Sequence, residues 1–565
     1  MTNILLVTPL NVPFNETMAW MNQNPLNLDK NYIKRKIDPK YPVGNLCIGA
    51  YLKNNISDVK IKILDYNTVA LRYLSNNKDE LTRESFFDFG LDILKTKNMD
   101  FEYIPDIIGI SALFSSNYFD MGALIEFFSR KFPKSLIVSG GHLSSACYSD
   151  FLKNYPDLMA VGYGECEIPF TKLVEAIKRG EAVNYLENDS SWITKKKLLD
   201  ENFKPTNTLI KDLDEIPPYE LEMLLHPDDY FNSNDDVFTL GTDNKSADEK
   251  DIAMFATRGC PYHCIFCASQ FVHGHKVRKY SIERLKKDIL HYNYKYGITS
   301  FPFIDDHFLA NKQNAIEILD FIHENGFSSR IFNLAYIHVD RDIVKALKKT
   351  GSDRALITID GMNEDFLRKT VRKPANFAKA KDVIKIFREE GLIVINNNII
   401  GFPGETPEDI DRGVNTMLDM GANWYAILTA IPLQGSELYR ICEEKGYLPK
   451  NESIYTTDFH KSVIQTSEFT PEWIQKKAYE INLHLNFVNN YDMRHNEYEI
   501  PLSLYERLLE KVIDTHAFAY YFGAICAKKL NYSDKYEKYK EKYYEMNGKY
   551  IFWKEWSNHF NLSDL

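Results

Sequence analysis

Short β-rich runs alternate with stretches of helical periodicity twice along the chain, and this alternation constrains the fold more than any other feature. In the first series the runs are Asn3–Thr8, Lys60–Asp65, Ile107–Ala112, Ser135–Ser139 and Leu158–Val161. Strand, helix, strand repeated in this way predicts an α/β fold with a doubly wound, Rossmann-like parallel sheet over residues 1–180. Such sheets bind ligands beyond the carboxyl ends of their strands. The loops there, Ser111-Ala-Leu-Phe-Ser-Ser116, Gly140-Gly-His-Leu-Ser-Ser145 and Gly162-Tyr-Gly-Glu165, are rich in serine, glycine and alanine. Small residues let a backbone approach a large ligand closely. No G-x-G-x-x-G follows the first run, where Pro9, Pro13 and Asn15 stand, so these loops are not a dinucleotide fingerprint.

Residues 181–250 lose the rhythm and read as a linker, with Asp228–Asp251 polar, acidic and expected to be a mobile loop. The alternation returns over residues 251–445, with strands expected near Ile252–Thr257, Thr299–Ile304, Ile331–Ile337, Ala355–Ile359, Leu392–Ile400 and Trp424–Ile431. Helices fill the gaps, among them Ser281–Tyr296 and Pro407–Met420, the latter opened by Thr406 as N-cap, Pro407 and Asp409. Six β/α repeats predict an incomplete parallel barrel, a partial (β/α)6 version of the fold whose chemistry sits at the carboxyl ends of its strands. Residues 446–565 are predicted helical, with one clear amphipathic helix at Pro471–Asn489.

Composition removes several function classes. The 565 residues are 44% apolar and 26% charged, with a mean hydropathy of -0.36, which fits no membrane protein. No apolar stretch reaches the roughly 18 residues of a span, and Met1–Leu10 lacks the basic start and small-residue cleavage site of a secretory leader. The net charge of -11, without a dominant basic block, argues against a mainly electrostatic nucleic-acid binder. Of the eight cysteines, Cys47, Cys147, Cys166, Cys442 and Cys526 are scattered singly, which implies a reducing cytoplasm rather than a disulfide framework.

The other three stand together as Cys260, Cys264 and Cys267, just after the first expected barrel strand. With His263 they nominally supply four ligands for tetrahedral zinc, although His263 is adjacent to Cys264 and no second C-x-x-C follows nearby. A zinc-stabilised RNA- or protein-binding module is therefore one reading of this cluster. Three thiolates on a four-iron cluster leave one iron without a protein ligand, an open position where a reactant binds.

C-x-x-x-C, two residues, then C, with aromatic Phe266 before the last cysteine, resembles the signature of the radical S-adenosylmethionine (SAM) superfamily. The resemblance implies a [4Fe-4S] cluster on Cys260, Cys264 and Cys267 whose fourth iron chelates SAM and cleaves it to a 5′-deoxyadenosyl radical that abstracts a substrate hydrogen atom. It also implies SAM contacts at Phe266, at Asp305 and Asp306 after the second strand, and at Asp360 after the fourth. Gly401, in Asn398–Thr406, belongs to the segment that supports the adenine, and Ile431 and Leu433 to the sixth-strand segment, where Gln434 intrudes and Ser436 replaces threonine. Tyr336 and His338 end the third strand and read as a core tyrosine and a surface histidine.

A doubly wound domain ahead of such a barrel, with Gly140-Gly141-His142 and Gly162-Tyr163-Gly164-Glu165, resembles the cobalamin-binding subgroup of that superfamily. Cobalamin contacts are then expected at Ser111, Leu113, Phe114, Ser115, Gly140, Gly141, His142, Leu143, Ser144, Gly162, Tyr163, Gly164 and Glu165. No aspartate, any residue, histidine, two residues, glycine motif occurs, so the resemblance implies a base-off corrin with no protein histidine on cobalt. The implied activity is a methyltransferase that moves a methyl group from SAM through methylcobalamin to an unactivated carbon of a substrate radical, with a flavodoxin- or ferredoxin-like electron donor. A rearrangement, ring-contraction or cyclisation enzyme with the same cofactors is the alternative. Small molecules, lipids and peptides all remain open as substrates, and no nucleic-acid partner is expected.

Overall fold

The five apolar runs of the first series form five parallel strands: β1 (Thr2–Thr8), β2 (Val59–Asp65), β3 (Ile107–Ser111), β4 (Leu136–Gly140) and β5 (Ala160–Gly162). The structure, a computed structural model, describes residues 1–15, 39–76, 82–96, 103–231, 249–450 and 461–565. It divides into two units. One comprises Met1–Ser233, Lys250–Ile298 and Pro432–Asp458, the other Asn234–Glu249, Thr299–Ile431 and Phe459–Leu565.

In the first unit the strands lie in the order β2-β1-β3-β4-β5, and a short sixth strand, β6 (Trp192–Ile193), closes the edge antiparallel to β5. Ile4, Leu5 and Val7 of β1 are fully buried. Burial of both faces of a strand is the mark of a parallel sheet covered by helices on both sides. The helices Val43–Asn55, Tyr118–Lys131 and Glu167–Lys178 belong to this unit. Residues from 181, expected as linker, instead form the helix Ala182–Asn188 and then β6, so the sheet runs past the boundary at 180. Residues 232–248 of the expected mobile loop lie outside the described residues.

The expected first barrel strand, Ile252–Thr257, is a second departure. Here the regular strand is β7 (Thr257–Arg258), and it pairs antiparallel with β8 (Arg278–Lys279) to close the cysteine-bearing segment into a hairpin. The segment therefore clusters with the N-terminal sheet, in a unit that extends through the helix Ile282–Tyr296, capped by Ser281.

The second unit holds a parallel sheet of β9 (Arg354–Thr358), β10 (Ile393–Ile400) and β11 (Trp424–Thr429), in the order β11-β10-β9. Parallel bridges Leu334↔Ile357, Phe303↔Ile331 and Ser300↔Ser328 continue the progression. The runs expected as strands at Thr299–Ile304 and Ile331–Ile337 thus pair in the expected sense but only through single bridges, and Tyr336–His338 is a turn of 3₁₀ helix. Helices Lys312–Glu324, Arg341–Lys349, Phe377–Glu389 and Pro407–Leu418 alternate with these segments, the last started by a Thr406–Asp409 capping box.

The C-terminal residues of this unit are helical, as expected, and they cover one rung of the sheet. Leu356, Ile395 and Trp424 are register partners, so their side chains share a face, and all three join a core with Phe487, Phe518 and Trp553. In that core His516 caps the helix Ala517–Lys529 by accepting from Ala519 N through Nδ1 at 3.1 Å, while its ring lies 5.0 Å from Phe487 and 4.5 Å from Trp553. No helix among the described residues is long and apolar enough to cross a membrane.

Burial pushes His516 down to about 3, so the folded protein holds it neutral while the unfolded chain takes up a proton below the ordinary histidine value of 6.5. Stability from this site is therefore present above pH 6.5 and lost as pH falls towards 3. A His516→Asn variant keeps a capping oxygen but loses the ring contacts. Denaturant titrations between pH 7 and pH 4 are expected to show a less stable protein with a flatter acid slope than the wild type.

Candidate active site

A 2-1-3-4-5 order reverses direction between β1 and β3, and in doubly wound sheets ligands bind at that switch point, outside the carboxyl ends of the strands. The loops after β3, β4 and β5 stand there. Leu143 N donates to Ala112 O at 3.1 Å, and Ala112 N donates to Gly140 O at 3.1 Å, which draws two of these loops together. Gly141 makes this approach possible: its φ is +87°, and a Cβ there would lie 2.6 Å from Ala112 O.

Leu113 and Phe114 project from this rim at 56% and 46% exposure, an unusual place for large apolar side chains unless something covers them. Ser111, Gly140, Gly141, His142 and Tyr163 are half-buried beside them. His142 Nδ1 lies 3.3 Å from Leu113 O, and burial lowers its pKa. Ser115 is buried and donates to Gln434 Oε1, so the intruding glutamine of the sixth-strand segment bonds the β3 loop.

Three sequence-expected positions turn inward. Leu143 and Ser144 are fully buried, Ser144 with its hydroxyl 3.5 Å from Met121 Sδ, so their side chains belong to the core. Glu165 is withdrawn as well: its carboxylate is spent on Arg278, His273 and Arg258 inside the protein. Gly162 and Gly164 remain at the strand end, where a Cβ would meet Cys166 Sγ at 2.6 Å and Asn207 Oδ1 at 2.2 Å respectively.

The cysteine loop leaves β7 through Gly259, where a φ of +91° and the nearness of Lys276 O, which a Cβ would meet at 2.6 Å, demand glycine. Cys260 N donates to Gly274 O at 3.4 Å and Cys267 N to Cys264 O at 3.1 Å, so the loop folds back on itself. Cys260, Cys264 and Cys267 are half-exposed, whereas the five scattered cysteines are buried. Burial pushes Cys47 up to about 11 and Cys166, Cys442 and Cys526 to about 12, which leaves them inert thiols. His263 is exposed and packs against His275, with ring centroids 4.0 Å apart and the planes tilted by 31°. Among the described residues no three His, Cys, Asp or Glu side chains are grouped to hold one metal ion. The donor set fits a group that takes three thiolates and keeps one position open, and Phe266 stands half-buried within it.

In the second unit, Asp305 is buried and Asp306 half-buried at the end of the segment that bridges through Phe303. The next residue, His307, is buried with its ring 4.9 Å from that of His338, and desolvation, with the nearby His338, pushes it down to about 4. Tyr336 proves to be a core tyrosine whose hydroxyl accepts from Asn376 N at 2.9 Å, and His338 is exposed. Asp360 adopts φ of +60° and forms an ion pair with Lys373, a partner that motif comparison alone does not reveal. Ile431 is buried in this unit, and Leu433 is half-buried in the first.

Gly401 has φ of +87°, and a Cβ there would lie 2.7 Å from Ile474 Cγ1. Its N–H and that of Phe402 donate to Glu405 Oε2 at 2.7 and 3.3 Å, so a buried carboxyl organises the turn after β10.

Residues 254–416 match the Radical SAM superfamily. The chain carries a radical SAM domain. An uncharacterized methyltransferase of Pyrococcus horikoshii is 27% identical to it over 398 residues, covering 67% of this chain and 78% of that protein. The cytidylyl-2-hydroxyethylphosphonate methyltransferase of Streptomyces wedmorensis is 24% identical over 460 residues, covering 75% and 82%. Among solved structures, the cobalamin-dependent S-adenosylmethionine radical enzyme OxsB, with aqua-cobalamin and S-adenosylmethionine bound, aligns with a TM-score of 0.59 at 12% identity over 99% of this chain and 80% of that one. That likeness is one of fold.

The Glu405 carboxyl that shapes the radical SAM domain's β10 turn is pushed up to about 7 by burial, against the backbone donors that favour its charge. The folded protein accommodates the protonated acid, and the cost of ionising it in the core grows as pH rises from the ordinary value of 4.5 towards 7. A Glu405→Gln variant keeps an acceptor for both N–H groups. Its stability is expected to exceed the wild type by about 3 kcal/mol at pH 8 and to match it near pH 4.5, as thermal unfolding across that range checks.

Proposed function

We propose that the protein is a cobalamin-dependent radical SAM methyltransferase that acts in the cytoplasm. The observation that carries this reading is that the radical SAM match brackets the three half-exposed cysteines, while the same unit presents glycine-rich loops and exposed apolar residues at the switch point of a 2-1-3-4-5 sheet. Relatives described as methyltransferases support the reaction class. The parallel progression of the second unit is, in this reading, the greater part of a (β/α)6 barrel.

Cys260, Cys264 and Cys267 hold the [4Fe-4S] cluster, which supplies the electron for reductive cleavage of SAM when bound. Asp305 and Asp306 offer carboxylate oxygens to the SAM ammonium. Asp360, neutralised by Lys373, serves as a hydrogen-bond acceptor for the ribose rather than as a free charge. Gly401 and Ile431, both of the second unit, are assigned to the adenosyl group.

The first unit would hold cobalamin, which would supply the methyl carrier there. Gly140, Gly141, Gly162 and Gly164 admit it close to the main chain, and Leu113, Phe114 and Tyr163 cover its apolar edge. Ser111 and His142 offer polar groups at the same rim. The substrate is a small molecule, lipid or peptide, and a flavodoxin- or ferredoxin-like protein delivers the electrons.

Anaerobic protein supplied with cobalamin, reductant and SAM is expected to form both S-adenosylhomocysteine and 5′-deoxyadenosine, as chromatography detects. A Cys260→Ala, Cys264→Ala, Cys267→Ala variant should lose at least 100-fold of the 5′-deoxyadenosine. Deoxyadenosine without S-adenosylhomocysteine favours rearrangement over methyl transfer, and neither product contradicts the proposal.

A further inference from the structure

Glu165 lies in the loop after β5, yet its carboxylate reaches both flanks of the cysteine loop, the far one 113 residues along the chain. On the entering side is Arg258, in β7, with Nη1 3.5 Å from Glu165 Oε2 and 2.6 Å from Glu167 Oε1. On the leaving side, Arg278 in β8 clasps Glu165 with two nitrogens, Nη1 to Oε2 at 2.9 Å and Nη2 to Oε1 at 2.6 Å. His273 Nδ1 lies 2.7 Å from the same Oε1. The side chains of Glu165, Glu167, Arg258 and Arg278 are no more than 5% exposed, so the arrangement is a core feature and not a surface ion pair.

The main chain follows the same path. Glu165 N donates to Asn207 Oδ1 at 3.1 Å, and Asn207 Nδ2 donates to Val272 O at 2.6 Å, within the short helix Ser269–His273 that follows Cys267. From that helix the Phe271 ring meets Tyr163, at 5.3 Å between centroids, and His142, at 6.1 Å. The glycine loops and the cysteine loop are thus joined by a carboxylate, an amide and an aromatic plug. Two guanidiniums face two carboxylates, which balances the charge. Such a buried network is weak evidence of net stabilisation but strongly fixes geometry, because removing one partner strands the others.

We propose that Glu165 is the positioning residue of the cysteine loop, fixing where Cys260, Cys264 and Cys267 stand relative to the glycine loops of the same unit. Burial opposes its charge, but donation from Arg278 and His273, with the nearby Arg258, outweighs that cost and leaves the acid below the usual carboxylate range. It therefore acts as a fixed anion. The functional consequence rests on the reading that the three cysteines hold the cluster.

The test compares full-length wild type with Glu165→Gln and with Asn207→Ala, the second of which breaks the amide bridge without stranding a charge. Hydrogen exchange read by mass spectrometry is expected to quicken at least tenfold in peptides from residues 259–279 of both variants, with β1, β3 and β4 unchanged. After reconstitution with iron and sulfide, the reduced-cluster electron paramagnetic resonance signal should broaden and its shift on addition of SAM should shrink. Unchanged exchange at 259–279, or acceleration spread evenly over the sheet, would overturn the proposal. If Glu165→Gln fails to fold, Asn207→Ala alone decides. If the wild type takes up no iron, the cluster reading fails while the exchange comparison still judges the role of Glu165.

Discussion

A buried carboxylate between two guanidiniums is the interaction on which the arrangement of the first unit turns. Glu165 answers Arg278 in a bidentate fork and Arg258 at longer range, and Glu167 supplies the second negative charge. Charges taken out of water are tolerated only when paired and hydrogen-bonded, so this group has few alternative arrangements. Because the arginines are the β7 and β8 residues that frame the hairpin, the constraint reaches the sulfur-bearing loop through two short rigid strands rather than through a flexible chain.

The sheet supplies the other half of the logic. A parallel sheet needs a helix between successive strands, which places the turns that enter those helices together along one edge. Close contact between the β3 and β4 loops is permitted by Gly141, and the apolar side chains of Leu113 and Phe114 are left on the rim. The second unit repeats the principle with a different outer layer: its C-terminal helices cover the Leu356–Ile395–Trp424 rung, while Asp360, two residues beyond Thr358 and its register partner Asn397, lies past the end of β9.

Much of this was legible in the residues. Strands β1 to β5 lie within two residues of the expected bounds, because a strand buried on both faces is a continuous apolar run ended by turn residues. Thr406 announced its helix, since an N-cap is local chemistry. The radical SAM signature was equally local. What escaped was non-local: Glu165 meets Arg278 across 113 residues and Glu167 meets Arg258 across 91, separations that no periodicity encodes. The same holds for Lys373 on Asp360 and for β6, a two-residue edge strand with too little pattern to notice. Assigning Glu165 to a ligand loop was reasonable from its glycine neighbours, but the side chain found stronger partners inside the protein.

The central claim is that one chain supports two cofactors, a cluster on Cys260, Cys264 and Cys267 and a corrin at the glycine loops. Elemental analysis of protein purified without oxygen from cells supplied with cobalamin tests it most directly. The account predicts about four iron atoms and about one cobalt per chain, with the iron lost when the three cysteines are replaced. Stoichiometric zinc without iron or cobalt would contradict it.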